Sequence, residues 1–407
     1  SAGDVVVFDE NSFSTNNNRV TLDLEGAVCG EMIWRNITRT PRLAGLVSNR
    51  LHIFGSMTLH QNMVWEFAGD LYLEGKASGL TVTSAGKQFL RDVFKTSPGE
   101  YTMQDSFSLL RKFHFVAGTW RTNNFDWHLN ALDAEYTPAR ALYLGSSLVT
   151  LRTNIYQAQA LEWRLYGDDF TLDAGTSTLF FKNFYSYIYH HFEQTKTLSY
   201  YKIRVNDGVY ASMDMYPGNQ GNSEIDIRSC YFGGDGNVFQ NHRFGTLQLS
   251  AGYIYKFGNS GQVIYMDTLL ANGRCDAMVR IESSVEGRAV QFSSPNNQRI
   301  QYAIIQNIQF QGNPLDHVAD FSIGVGATPG WTIQELTKGR DLYWVGGTGI
   351  WHDPAHWSLT SGGPGGECIP TPFDNVFFDD QSFTGPNQQV SYAPQNYVVN
   401  FKNLLWS

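Results

Sequence analysis

Two histidines four residues apart beside a carboxylate, in His352-Asp353-Pro354-Ala355-His356, are the nearest this sequence comes to a metal-binding phrase. On a helix that spacing would set both imidazoles on one face. Pro354 stands between them, however, and Trp351 and Trp357 flank them, so the phrase reads as a turn in which Asp353 caps backbone amides. In His190-His191 with Glu193, His191 and Glu193 share a strand face, but two ligands fall short of a site. The carboxylates of Phe8-Asp9-Glu10 and Phe378-Asp379-Asp380 have the chemistry for calcium. Their spacing fits neither an EF-hand nor the glycine-rich calcium repeats of β-helices, so turn capping is expected there too. No metal and no cofactor is assigned.

Acid pairs raise a second possibility, since glycosidases work with two carboxylates flanking the scissile bond. Glu224 and Asp226 fall on one strand face, Asp235 lies in Gly233-Gly234-Asp235-Gly236, and the adjacent Asp168-Asp169 would face opposite ways in a strand. The Gly-Asp-Asp-Cys, Gly-His-Gly and Arg-Ile-Lys phrases of polygalacturonases do not occur, nor does the basic cluster of pectate lyases. No catalytic residue is assigned, and the chain is expected not to be an enzyme. Trp65, Trp127 and Trp163 would make a platform for sugar rings if they faced solvent. Facing inward, they would fill the core.

The elements that must position these groups read as strands. Leu51-His52-Ile53-Phe54, Met57-Thr58-Leu59, Val64-Trp65-Glu66-Phe67, Leu71-Tyr72-Leu73 and Leu80-Thr81-Val82-Thr83 alternate with period two. Similar segments recur at Phe113-His114-Phe115, Leu142-Tyr143-Leu144 and Trp163-Arg164-Leu165, and richer in aromatics beyond residue 184. Three short strands per circuit, with few tight hairpin signals between them, predict a parallel β-helix. Only 16% of residues are charged, against the ~25% usual in soluble domains. A net charge of −9 without a basic run excludes nucleic acid and anionic membranes as expected partners. No apolar run reaches the ~20 residues of a membrane span. The four cysteines, Cys29, Cys230, Cys275 and Cys368, lack CxxC spacing, which excludes the usual zinc patterns and leaves their pairing open. Cys29 is expected to lack its natural partner within these residues.

The chain also repeats itself. Asp4-Val5-Val6-Val7-Phe8-Asp9-Glu10-Asn11-Ser12-Phe13 is answered by Asp374-Asn375-Val376-Phe377-Phe378-Asp379-Asp380-Gln381-Ser382-Phe383, with six of ten positions identical. The register holds to Val20 and Val390, and after a two-residue insertion Met32-Ile33-Trp34 is answered by Leu404-Leu405-Trp406. One long unit is thus followed by the opening of a second, roughly 370 residues on. We expect an excerpt from a longer repetitive chain.

Several phrases carry a resemblance. Ala85-Gly86-Lys87-Gln88-Phe89, Glu100-Tyr101-Thr102-Met103-Gln104-Asp105 and Val116-Ala117-Gly118-Thr119-Trp120-Arg121-Thr122-Asn123 are three of them. Arg140-Ala141-Leu142-Tyr143-Leu144-Gly145-Ser146-Ser147 and Leu172-Asp173-Ala174-Gly175-Thr176-Ser177-Thr178 follow in the same order. Together they resemble the repeats of the very large SprB-type gliding-motility adhesins of Bacteroidetes. The stretch from Tyr343 through Gly346-Gly347-Thr348-Gly349 to Trp357 resembles the phrase that opens each repeat there. The resemblance implies an extracellular adhesin at the outer membrane surface, exported by type IX secretion and moved by the gliding machinery. Its partners would be external surfaces or polysaccharide, together with neighbouring repeats of the same chain. It also suggests O-glycosylation at Asp267-Thr268-Leu269, a short pattern of that phylum.

The expected fold is all-β, a right-handed parallel β-helix over residues 1–338, a Trp/Gly/Pro-rich junction over 339–372, and the first strands of the next repeat over 373–407. The expected function is structural and adhesive. A β-helix polysaccharide lyase or glycoside hydrolase, and a passive surface-layer or matrix protein, are the alternatives.

Overall fold

In the computed structural model the described residues are 1–152, 161–182, 186–192, 194, 196–206, 213–216, 224–239, 241–258, 263–311, 316–335, 339–371, 373–392, 399 and 401–407. They are all-β, built on parallel sheets, with a single 3-10 turn at Pro354–His356 and no α-helix among them. No helix among the described residues is long and apolar enough to cross a membrane. The chain folds as two compact units, Ser1–Leu247 with Val263–Tyr265, and Gln248–Gln262 with Met266–Ser407.

In the first unit the chain visits three ladders in rotation. The first ladder runs Val5–Phe8, Glu31–Trp34, Met57–Thr58, Leu80–Thr83, Glu100–Met103, Gly118–Arg121, Arg140–Tyr143 and Phe170–Asp173, paired in parallel. The second position is held first by the short ladder Arg19–Leu22, Arg42–Gly45 and Val64–Phe67, then by a separate one that begins at Gln88–Phe89 and passes through Phe107–Leu109, Trp127–Leu129, Leu148–Arg152 and Thr178–Lys182. The third begins at Gly26–Cys29 and climbs by Arg50–Ile53, Asp70–Leu73, Val93–Lys95, Lys112–Phe115, Ala131–Ala134 and Leu161–Tyr166 to Ser186–His191. Return to the same ladder at every third strand is consistent with a β-solenoid-like fold.

Period-two alternation turns each ladder into columns of side chains. On the inner face of the third, Leu51, Leu71, Val93, Phe113, Leu132, Trp163 and Ile188 lie one above another, all buried. On the second, Phe107, Trp127, Val149, Leu179, Ile203 and Cys230 do the same. Each parallel step is the ~4.8 Å strand spacing, so like rings stack. His52, Tyr72, Phe94 and His114 form such a pile on the outer face, with centroids 4.6, 4.6 and 4.3 Å apart. Where the backbone of successive circuits converges, only glycine fits. A Cβ on Gly99 would strike the Gly75 carbonyl oxygen, and one on Gly118 (φ +82) the Gly99 carbonyl oxygen.

Beyond Ser186–His191 the rotation changes, and this departs from the three-strand reading. Thr197–Val205 and Glu224–Phe232 are single nine-residue strands, and the first ladder ends at Phe170–Asp173. The physical reason is a phase step in the inward residues. Leu198 and Tyr200 are followed by Ile203 and Val205, Ile225 and Ile227 by Cys230 and Phe232, and His242 and Phe244 by Leu247 and Leu249. Two consecutive outward residues at mid-strand re-aim the buried face, as a bulge does, without breaking the strand.

In the second unit, Ile254–Phe257, Val279–Ser283, Ala303–Gln306 and His317–Val325 form a parallel ladder extended by Trp331–Glu335. Cys275 and Cys368 are disulfide-bonded. Asp341–Trp344 pairs antiparallel with Trp357–Ser358 on one edge and parallel with Asn375–Phe378 on the other, and Asn403–Trp406 follows in parallel. Leu342, Trp344, Trp351, Trp357, Val376 and Phe378 make one buried cluster there.

Candidate functional site

The phrase His352–His356 is a capped turn. Asp353 Oδ1 accepts from the Ala355 amide at 2.9 Å and starts the 3-10 turn Pro354–His356. His356 Nδ1 lies 2.8 Å from the Val345 carbonyl, and its ring stacks on Trp344 at 4.7 Å. His190 and His191 face opposite ways. The His190 imidazole is buried with Nε2 2.7 Å from the Tyr200 hydroxyl, and that hydroxyl accepts from Trp163 Nε1 at 2.9 Å. Burial pushes His190 down to about 3, so it is neutral at pH 7. His191 lies on Tyr166 at 4.4 Å. Glu193, the other residue of that reading, lies outside the described residues. Among the described residues no group of three or more His, Cys, Asp or Glu could hold a metal ion.

Asp9 and Asp379 cap matching turns. Asp9 N donates to Ser12 Oγ at 3.0 Å while Asp9 Oδ1 accepts from the Asn11 amide at 3.0 Å. Asp379 does the same with Ser382 at 2.9 Å and Gln381 at 3.0 Å. Asp168 and Asp169 lie in a turn rather than a strand. There Asp168 Oδ1 accepts from the Gln194 amide, and the Asp168 carbonyl from Lys196 Nζ. Thr268 is exposed on its strand. The tryptophans Trp65, Trp127 and Trp163 are core residues, at 8%, 0% and 0% exposure, which removes the sugar platform. Trp127 and Trp163 alternate inward between polar neighbours and Trp65 between Val64 and Glu66, and the columns of large side chains need that volume.

Glu224 and Asp226 do share the outer face of one strand, opposite Thr197 and Ser199. Burial, and then the neighbouring Asp226 charge, raise the Glu224 carboxyl above its usual range. Two positions along a strand separate such groups by ~7 Å. Asp226 borders a shallow depression of about 390 Å³ together with Asp173, Ser199, Tyr201 and Arg228. Asp235 follows the far end of the same strand, beyond Phe232, and does not join the pair.

A strongly perturbed group on the outer face is one the sequence reading passed over. His114 Nδ1 lies 3.0 Å from Asp133 Oδ2 and 3.2 Å from the Tyr136 hydroxyl, while its Nε2 lies 3.4 Å from Asp92 Oδ2. Burial opposes the charge, but hydrogen bonds and charges from Asp133 and Asp92 outweigh it and raise the imidazole to about 9. Both carboxyls are held below their usual range, since bonds from His114 and from backbone amides outweigh their burial. The only trace in the sequence is an outward polar residue between two inward aromatics, Phe113-His114-Phe115. Lys95 is fully buried in a column position flanked by Leu73 and Phe115, and burial lowers it to about 8. Its Nζ donates to the Ser97 and Ala117 carbonyls, so it ties circuits together rather than serving a ligand. Cys29 and Cys230 are buried thiols in core positions, and burial raises both.

The two copies of the repeat adopt one geometry. Val5, Val6, Val7 and Phe8 pair with Glu31, Met32, Ile33 and Trp34. Asn375, Val376, Phe377 and Phe378 pair with Asn403, Leu404, Leu405 and Trp406. Phe8, Phe13 and Trp34 stack as a trio with centroids 4.2 to 5.9 Å apart. Phe378, Phe383 and Trp406 repeat it at 4.8 to 5.9 Å. Left-handed Asn17 (φ 64) and Asn387 (φ 61) stand at corresponding positions. No family model matches the chain, nor does any curated protein or solved structure.

Proposed function

We propose that the chain is a structural and adhesive repeat of a very large filamentous cell-surface protein, folded as a right-handed parallel β-helix. The observation that carries this reading is the recurrence of the Val5–Phe8 register, turn and aromatic trio at Asn375–Phe378. A stacked ladder recurs readily because each circuit needs only its neighbours, whereas a catalytic cleft needs one particular set of acids. The right hand follows the general preference of parallel crossovers. By the resemblance of its phrases, the protein reaches the outer surface by type IX secretion and serves attachment and gliding. The test is an antibody against this chain on live, unpermeabilised cells of the source organism. Labelled spots travelling along the cell support the motile adhesin. Fixed spots favour a passive matrix protein, and no label over an accessible epitope overturns the export assignment.

A polysaccharide-cleaving enzyme is the second reading, favoured by Glu224 held protonated to higher pH beside Asp226 at the edge of an open depression. Cleavage of soluble polysaccharide, lost in Glu224→Gln, would put it first.

A further inference from the structure

The second copy of the repeat is covered where the first is bare. In the second, Asp341, Leu342 and Tyr343 pair with Asn375, Val376 and Phe377, and the Asn375 amide donates to the Arg340 carbonyl at 2.8 Å. Asp374, only 2% exposed, accepts from the Arg340 amide at 2.6 Å and from Arg340 Nη2 at 2.8 Å. Val376 and Phe378 are buried against Leu342, Trp344, Trp351 and Trp357. In the first copy, among the described residues, Val5–Phe8 is the outermost strand of its ladder and pairs only with Glu31–Trp34. Asp4, Val5 and Val7 are exposed, and Val6 and Phe8 are partly so.

The bare edge is nonetheless already shaped for the same cover. The Asp4 amide donates to the Ser1 carbonyl at 3.0 Å, as the Asp374 amide does to Thr371 at 3.0 Å. On the far side of the strand, Gly30 donates to the Asp4 carbonyl and Lys402 to the Asp374 carbonyl, each at 2.7 Å.

We infer that the free edge of Val5–Phe8 is a docking site for a further copy of the Trp-rich segment 339–370, joined ahead of Ser1. Its Asp-Leu-Tyr-Trp strand adds in parallel to Val5–Phe8, its arginine pairs with Asp4, and its tryptophans cover Val6 and Phe8. The segment thus acts as the coupler that sets each repeat on the one before, and an exposed parallel edge is never left open to random pairing. The inference rests on the repeat reading, not on adhesion or gliding.

The test extends the full chain by a copy of residues 339–370 placed before Ser1, and follows amide hydrogen exchange. The Val5 amide, counterpart of the Asn375 amide, should slow on the order of a hundredfold relative to the unextended chain. Leu342→Asp in the added copy should abolish that slowing while the original residues stay untouched. Two results would overturn the inference. One is unchanged exchange at Val5 in the extended chain. The other is concentration-dependent protection of Val5 in the unextended chain, which would make the edge a contact between two copies. Protection at Asn375–Phe378 is the internal control. If those amides are also fast, the repeat reading falls with the inference; if they are slow, only the inference falls.

Discussion

Replacing His114 by glutamine should flatten the alkaline side of the protein's stability profile. The imidazolium sits between Asp133 and Asp92 with its ring on Phe94 at 4.3 Å, and Arg111 Nε lies 3.2 Å from Asp92. Its folded value of about 9 stands above the 6.5 of an exposed imidazole. A base with a raised folded value binds its proton more tightly in the native state. Its contribution is therefore complete below 6.5 and is lost as pH rises through 9. The full shift corresponds to about 3 kcal/mol, of which roughly half disappears between pH 6.5 and 8. That window is the one to read, because Lys95, lowered to about 8, gains stability in the opposite sense above it. His128, His190, His317 and His352, all lowered by burial, gain stability as pH rises through 6.5, so they reach into the window but cancel in the difference between parent and variant. The assay is guanidinium unfolding of the parent and His114→Gln at pH 6.5, 7.2 and 8, followed by tryptophan fluorescence. The parent should lose stability across the series relative to the variant. Parallel curves would refute the charged-histidine account and leave His114 a neutral hydrogen-bonding residue.

Other perturbations have equally definite outcomes. Asp374→Ala strips the half-buried Arg340 and the buried Thr371 amide and hydroxyl of their shared acceptor and should cost about 1–3 kcal/mol, read as early loss of the Trp344 and Trp357 fluorescence transition. Hydrogen bonds from Arg340 and Thr371 outweigh burial and depress Asp374, so the stability it brings is present at neutral pH and lost as pH falls through its folded value. Cys275→Ser opens a cross-link 93 residues long and should cost up to about 4.6 kcal/mol by chain entropy, seen as a lower denaturation midpoint matched by reduction of the parent. Trp127→Ala removes a fully buried indole from its column and should cost about 3–5 kcal/mol, with Phe restoring most of it.

Much of the architecture was written into local sequence. Alternation in Leu71-Tyr72-Leu73 and Phe113-His114-Phe115 determines which residues share a face, because a strand has period two whatever surrounds it. The match of residues 4–13 to 374–383 determines that one turn and one pairing occur twice, since like side chains in like register meet the same steric rules. The capped turn at Asp353-Pro354 is local for the same reason. Tertiary structure decided what depends on neighbours a circuit away. It made Trp65, Trp127 and Trp163 core rather than platform, because inside and outside exist only once ladders face one another. It fused two strands into one at Thr197–Val205 and Glu224–Phe232, a change carried by a single step in phase. It paired Cys275 with Cys368 and left Cys29 and Cys230 as core thiols, and spacing alone does not choose among those pairings. Asp92, His114 and Asp133 become one charged cluster only because parallel stacking at the strand spacing brings three distant segments within hydrogen-bond reach.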